Sequence, residues 1–236
     1  MVGQDAPSYL FASCKDWHMA SFNRLCQRSG ECWKWVRNPE ELRVALIGVV
    51  PRYIFFLHWN WKVSEQVLER HECVCFHMTD LPYGRGGSPL QNLIAEGHRN
   101  TYLTALRMVE ELDAGPIYLK RPLTLEGTAK EIYMRAGELA EGMIADIIAC
   151  QPKPKAQQGK VVAFRRRLPE QSQLPDKGEL EQLYDHIRML DAPGYPPAFI
   201  EYGNFRFEFS AARLNGDLLC AHVVLRQRGS PKGGEF

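Results

Sequence analysis

Short apolar runs alternate with amphipathic stretches over the first two thirds of the chain. The clearest run covers residues 52–59, where aromatic and branched side chains follow one another, which is typical of a strand buried on both faces. Similar runs predict strands at 8–13, 32–36, 72–78, 101–108 and 116–123. Between and after them, helical spacing predicts helices at 17–28, 39–47, 65–70, 89–95 and 128–150. This alternation predicts an α/β fold, with a mostly parallel, twisted sheet and flanking helices.

The pattern changes after residue 150. Residues 151–159 are polar and rich in proline, which is typical of a linker. A helix at 178–190 and strands at 205–211 and 218–225 follow, and they predict a small α+β or β-rich unit. We therefore predict a larger domain at 1–150, a linker at 151–159 and a small C-terminal domain at 160–236 whose tail, 229–236, is frayed.

Charge and cysteine content narrow the classes of protein. The 236 residues carry 29 Lys and Arg against 28 Asp and Glu, a net charge of +1, which argues against nucleic acid or an acidic membrane surface as a partner. The longest apolar runs are too short to cross a bilayer. Seven scattered cysteines, without a signal peptide, indicate a cytoplasmic protein rather than a disulfide scaffold, and their spacing predicts no metal site.

A histidine and an aspartate follow two of the predicted strands. His77 ends the strand at 72–78 and leads into a loop rich in glycine and proline, whereas Asp113 lies in a turn before the last predicted strand. Ligands of open α/β sheets bind at the carboxyl ends of strands, and a histidine with a carboxylate is the minimum for general acid–base chemistry. Both residue types are also common in surface turns. The loop lacks the glycine patterns of P-loop nucleotidases and of ordinary NAD enzymes, which argues against both classes.

The sequence around these residues resembles a known family. The run from His77 to Gly86, HMTDLPYGRG, resembles the H-x-S-L-L-P-x-x-R-G signature of folate-dependent formyltransferases, and residues 112–115, LDAG, resemble their L-D-T/A-G segment. Residues 184–199 resemble the opening of the small C-terminal domain in the methionyl-tRNA and sugar-nucleotide branches of the family. The resemblance implies a Rossmann-like core and formyl transfer from 10-formyltetrahydrofolate to a primary amine.

The resemblance also implies a catalytic triad of asparagine, histidine and aspartate. His77 and Asp113 match two members, but Cys75 stands where the family has the asparagine that donates a hydrogen bond to the oxyanion. A thiol is a weak donor. Asn60 and His58, at the end of the preceding strand, are therefore candidates to replace it.

Further binding residues are predicted from the same motifs. The folate is expected against Met78, Thr79, Leu81, Pro82 and Leu112. The acceptor is expected near Arg85, Gly86, Gly87 and Lys15.

Several functions remain open at this point. The leading hypothesis is an N-formyltransferase whose acceptor is a small molecule, the amino group of a nucleotide-linked amino sugar. Methionyl-tRNA formylation is the alternative, and the low net charge and short C-terminal unit argue against it. Cys75 raises a third hypothesis, a non-catalytic relative that binds folate or a nucleotide; hydrolysis of the formyl donor is a fourth. A basic stretch at 165–167 could hold RNA or a sugar-nucleotide diphosphate, and a homodimer is left open.

Overall fold

The computed structural model describes residues 8–27 and 32–227, and their contacts group into two compact units. Unit 1 comprises Met1–Pro89, Asn100–Leu123 and Met134–Phe164, and unit 2 comprises Leu90–Arg99, Thr124–Tyr133 and Arg165–Phe236, each within the described residues. The predicted domain boundary at 151–159 stays a prediction.

The elements follow the predicted alternation. The strands are β1 (Ser8–Ala12), β2 (Cys32–Val36), β3 (Tyr53–Phe56), β4 (Cys73–His77), β5 (Tyr83–Gly86), β6 (Asn100–Arg107), β7 (Ile117–Thr124), β8 (Val162–Phe164), β9 (Ala198–Tyr202), β10 (Phe205–Asn215) and β11 (Leu218–Gln227). The helices are α1 (Met19–Gln27), α2 (Pro39–Ala45), α3 (Glu65–Arg70), α4 (Pro89–Ala95), α5 (Ala129–Cys150) and α6 (Leu180–Arg188). Short 3₁₀ turns cover Asp16–His18 and Pro169–Ser172.

The main sheet has the strand order β2-β1-β3-β4-β6-β7. Strands β1 to β4 pair in parallel, and β6 runs antiparallel to β4, with His77 opposite Thr104. The predicted α/β fold with a mostly parallel sheet is therefore confirmed. Because parallel strands end at the same edge, the residues after β1, β3 and β4 share one edge of the sheet.

Burial on both faces explains why these strands read as continuous apolar runs. On one face, Ile54 and Phe56 join a buried cluster with Leu10 and Leu42. On the other face, Phe11 packs against the rings of Phe22 and Trp35. All four residues of β3 are buried.

Unit 2 contains an antiparallel sheet of the order β11-β10-β9 together with α6. The buried guanidinium of Arg188 joins its segments, since it donates to Asp185 and to the carbonyl oxygens of Leu125 and Gly127. The predicted C-terminal α+β unit is confirmed.

Several local predictions were wrong. The glycine- and proline-rich segment predicted as a loop after His77 contains β5, which pairs with β8, and its sequence carries no strand signal. β3 ends at Phe56 rather than at 59 because the chain turns away at His58, whose φ is +50°. Residues 151–159 group with unit 1, where Lys155 exchanges backbone hydrogen bonds with Ile117, and their role as a linker stays a prediction.

Two predictions fall partly or wholly outside the described residues. Residue 28, the predicted end of α1, and the tail 229–236 lie there. Among the helices that the structure describes, none is long and apolar enough to cross a membrane.

Candidate active site

His77 is the last residue of β4 and is 8% exposed. Its Nε2 lies 2.7 Å from the carbonyl oxygen of Gly84, in the β5 strand that follows. A carbonyl oxygen can only accept, so Nε2 carries the hydrogen of this bond. In the neutral ring, Nδ1 then presents its lone pair to the other side.

Asp113 lies on that other side. Its Oδ2 is 3.6 Å from Nδ1 of His77, and the same oxygen accepts a hydrogen bond of 2.9 Å from the backbone N–H of Gly86. Asp113 itself has a φ of +55°, in the left-handed region that aspartate tolerates better than most residues. The backbone of the turn therefore aims the carboxylate, and Gly86 fixes it opposite the imidazole.

Two glycines of the motifs are required by close backbone approach. A Cβ on Gly86, whose φ is +109°, would overlap the carbonyl oxygen of Phe164 in β8. A Cβ on Gly115 would overlap the carbonyl oxygen of Arg107 at the end of β6. Larger residues at these positions would displace the N–H that holds Asp113 or the turn that carries it.

Gln157 supports the Asp113 turn from the segment after α5. Its Nε2 donates to the carbonyl oxygens of Asp113 at 2.7 Å and of Gly115 at 2.8 Å. Its Oε1 accepts from Arg85, whose Nε and Nη2 lie 3.1 and 2.9 Å away. Arg85 thus acts on the turn through Gln157 in this structure, while its predicted role in acceptor binding stays a prediction.

Sequence reasoning missed Gln157. A glutamine in a polar, proline-rich segment carries no pattern that separates a positioning residue from a solvated one.

Cys75 occupies the position predicted for the third member of the site. It precedes His77 by two residues in β4, so the two side chains project from the same face of the sheet. Burial, and next the charge of Asp113, raise the pKa of the Cys75 thiol well above its usual value. Cys75 is therefore a neutral S–H group at neutral pH, a weak donor and not a thiolate nucleophile.

The two predicted substitutes for the asparagine have other hydrogen-bond partners in this structure, and their role stays a prediction. The Nδ2 of Asn60 donates to the Sγ of Cys14 at 3.4 Å, and the Nδ1 of His58 lies 2.9 Å from the Nε2 of His18. Within the described residues, the hydrogen bonds of His77 do not include either of them. The ammonium of Lys15, which was predicted to lie near the acceptor, is 5.0 Å from the centre of the Trp17 ring.

Comparisons with known proteins identify the family of the chain. Residues 169–226 match the family model of the methionyl-tRNA formyltransferase C-terminal domain. The fold is similar to that of a methionyl-tRNA formyltransferase from Clostridium thermocellum, with a TM-score of 0.89 and 41% identity over 94% of this chain and 99% of that chain. The chain belongs to the formyltransferase family. This family uses 10-formyltetrahydrofolate as its formyl donor, as the motifs predict.

Three further relatives limit what the similarity shows. A curated methionyl-tRNA formyltransferase from Moorella thermoacetica is 28% identical over 184 residues, which are 74% of this chain and 57% of that protein. The match to a curated methionyl-tRNA formyltransferase from Thermotoga neapolitana covers 37% of that protein. The chain therefore spans about a third to a little over half of the length of these two curated relatives. A sugar N-formyltransferase from Shewanella shares the fold at 15% identity, with a TM-score of 0.63 over 83% of this chain and 92% of that one.

The residues predicted to bind the formyltransferase donor differ in exposure. The side chains of Met78, Thr79, Leu81 and Pro82 are buried in the loop after β4. Leu112, by contrast, is 68% exposed directly before Asp113. An exposed leucine beside the candidate pair offers apolar surface to a flat ring. Gly86 and Gly87 are half-buried in the same loop.

The candidate site therefore consists of two facing acceptors. In the neutral form of His77, Nδ1 and the Asp113 carboxylate both accept, and at 3.6 Å they do not bond to each other. A primary amine placed about 2.9 Å from both atoms can donate one N–H to each. Among the described residues, no group of three or more His, Cys, Asp or Glu side chains is arranged to hold a metal ion.

Proposed function

We propose that this chain transfers the formyl group of 10-formyltetrahydrofolate to the α-amino group of methionyl-tRNA. The observation that carries the proposal is the pair of facing acceptors, Nδ1 of His77 and Oδ2 of Asp113, 3.6 Å apart. This pair fits a neutral primary amine, whose two N–H groups it orients while the lone pair stays free to attack.

One bond forms and one bond breaks in the transfer. The amine nitrogen forms a bond to the formyl carbon, the bond between that carbon and N10 of the folate breaks, and one proton moves from the amine to N10. Asp113 and His77 accept the amine N–H groups and hold the proton in transit. The N–H of Gly86 keeps the Asp113 carboxylate in place throughout.

Cys75 is expected to lower the rate of the transfer relative to an asparagine at the same position. Its S–H lies on the same face as His77 and supplies a weak hydrogen bond to the developing oxyanion. Removing one oxyanion donor typically costs about 10²–10³ in kcat. With a thiol in place of the family's amide, we therefore expect a kcat that is reduced by part of this factor.

The surface beside the pair fits a folate ring. Leu112 is 68% exposed and Val109 is 38% exposed, both on the connection between β6 and β7 that carries Asp113. Exposed apolar side chains next to candidate catalytic groups favour a flat, largely apolar ligand. Met78, Thr79, Leu81 and Pro82 would support this surface from within, and these roles stay proposals.

The choice of acceptor rests on the relatives. A chain named methionyl-tRNA formyltransferase is covered over 99% of its length at 41% identity, so a short C-terminal unit does not argue against tRNA. Net charge is also a weak criterion, because phosphate contacts depend on local charge, and Arg165 and Arg166 are exposed. The similarity to a sugar N-formyltransferase is at 15% identity and supports the fold alone. The sugar-nucleotide hypothesis is therefore less well supported than the tRNA alternative.

The test is an acceptor comparison. The purified chain is incubated with 10-formyltetrahydrofolate and either methionyl-tRNA or a set of amino-sugar nucleotides, and the formylated product is measured by mass. We expect formyl-methionyl-tRNA. Formylation of an amino sugar alone would overturn the acceptor, and folate binding without turnover on any amine would overturn the activity. Formate released without an acceptor would indicate hydrolysis instead.

A further inference from the structure

A cleft of about 540 Å³ opens beside the loop that follows His77. Its walls come from that loop, from the first half of β7 and from the segment after α5, all within unit 1. Leu81, Ile117 and Pro152 supply apolar surface, and Lys120, Lys153 and Lys155 supply ammonium groups. Volumes of this size suit a small organic ligand.

The charge in the cleft is unbalanced. Lys120 is paired with the carboxylate of Asp80 and also donates to the carbonyl oxygen of Leu81. Lys153 and Lys155 are exposed and form no ion pair with a carboxylate in the part of the chain that the structure describes. The cleft therefore presents positive charge to solvent and favours an anionic ligand.

The two lysines form a row. They lie two residues apart on a segment where Lys155 exchanges strand-like backbone hydrogen bonds with Ile117. Alternate residues of an extended segment face the same side, at a repeat of about 7 Å. Such a row suits a chain of regularly spaced carboxylates.

The cleft adjoins the candidate active site on two sides. Leu81 belongs to the loop that starts at His77, and Ala156 and Gln158 of the cleft wall flank Gln157, which holds the Asp113 turn. β6 alone separates β4 from β7 in the sheet. Two strand spacings are about 10 Å, so an extended ligand whose reacting end lies at His77 can reach the cleft.

We propose that this cleft binds the γ-linked oligoglutamyl tail of the folate donor. The inference rests on the proposed function, since it concerns the far end of the same donor. The apolar wall accommodates the aromatic part of the ligand, and the lysine row binds the α-carboxylates beyond it. An RNA backbone would use the lysines but leave the apolar wall without a partner.

The experiment measures binding separately from turnover. The dissociation constants of 5-formyltetrahydrofolate monoglutamate and pentaglutamate, which do not serve as formyl donors, are measured by calorimetry for the unchanged chain and for the double variant Lys153→Ala, Lys155→Ala. Two exposed ion pairs together are expected to give the pentaglutamate an advantage of about 3- to 10-fold. The double variant should reduce that ratio to about one, with the monoglutamate constant unchanged. Lys62→Ala, an exposed lysine outside the cleft, is the control and should retain the full advantage.

Three other results would contradict the tail site or the proposed function. Equal affinity for both folates in the unchanged chain would overturn the tail site while leaving formyl transfer intact. A double variant that weakens methionyl-tRNA formylation through the KM for tRNA, with the folate ratio preserved, would assign the lysines to RNA and overturn the tail site. Absence of binding to either folate would overturn the donor itself, and with it the proposed function.

Discussion

The carboxylate of Asp113 faces Nδ1 of His77 at 3.6 Å, while the opposite ring nitrogen is held by the carbonyl oxygen of Gly84 at 2.7 Å. The hydrogen bond to Gly84 orients the imidazole, so Nδ1 of the neutral ring faces the carboxylate without bonding to it. Because Gly86 donates to the same carboxylate oxygen, both partners of the pair are positioned by the short β5 segment.

Cys75 gives the first prediction. Replacing Cys75 with asparagine restores an N–H donor beside His77, and it should raise kcat about 10- to 100-fold, because one oxyanion donor is typically worth about 10²–10³ and the thiol already supplies part of it. The measurement is steady-state formylation of methionyl-tRNA.

Cys75→Ala is the matched control for that substitution. It removes the S–H without adding a donor, so kcat should fall. If Cys75→Asn were no faster than Cys75→Ala while both variants fold, the oxyanion role of position 75 would be wrong.

Gln157 gives the second prediction. Gln157→Ala removes the two donors that hold the carbonyl oxygens of Asp113 and Gly115. The turn would then move, and a shift of about 1 Å in a reacting group can cost about 10²-fold in rate. We expect kcat to fall about 10- to 100-fold with a much smaller change in the KM for tRNA. An unchanged kcat in a folded variant would show that the turn holds Asp113 without this side chain.

The His18–His58 pair gives a prediction for acid stability. Burial lowers the pKa of His18 from 6.5 to about 4, and burial also lowers the pKa of His58. The unfolded chain binds these protons below about pH 6.5 and the folded chain does not, so the free energy of unfolding should decrease as the pH falls from about 6.5 to about 4. For His18 alone the full decrease is about 3 kcal/mol.

Urea unfolding at several pH values checks this in the unchanged chain and in His18→Gln. The variant should be less stable at pH 7.5, since it alters a buried hydrogen-bonded ring, but its stability should depend less on pH. A variant with an equally steep decrease between pH 6.5 and 4 would contradict the assignment to His18.

Much of the fold followed from periodicity, and the reasons are local. β2 and α3 have the predicted bounds, because a run bounded by turn residues or by a capping position ends where its backbone hydrogen bonds end. β5 and β8 were not predicted, since Tyr83–Gly86 contains two glycines and β8 has only three residues. Such strands exist because tertiary contacts hold them, and no local pattern encodes those contacts.

The site was predictable only in part for the same reason. His77 and Asp113 follow strands and match motifs, so their meeting could be expected, whereas the support from Gln157 depends on a distant segment packing against β7. The place of Asn60 after β3 predicts a position at the same sheet edge. Its hydrogen bond to Cys14 depends on the turn at His58, which strand order does not indicate, and its role in the site stays a prediction.

The central claim is that the pair formed by His77 and Asp113 carries the formyl transfer, and one measurement tests it most directly. Single-turnover formylation of methionyl-tRNA is compared between the unchanged chain and Asp113→Asn, which keeps an oxygen to accept the N–H of Gly86 but removes the charge and the proton acceptor. The rate is expected to fall about 10²- to 10⁴-fold, the usual worth of a general acid–base group, with the thermal unfolding temperature nearly unchanged. His77→Ala should show a loss of similar size. A folded Asp113→Asn protein that formylates methionyl-tRNA at the unchanged rate would contradict the account.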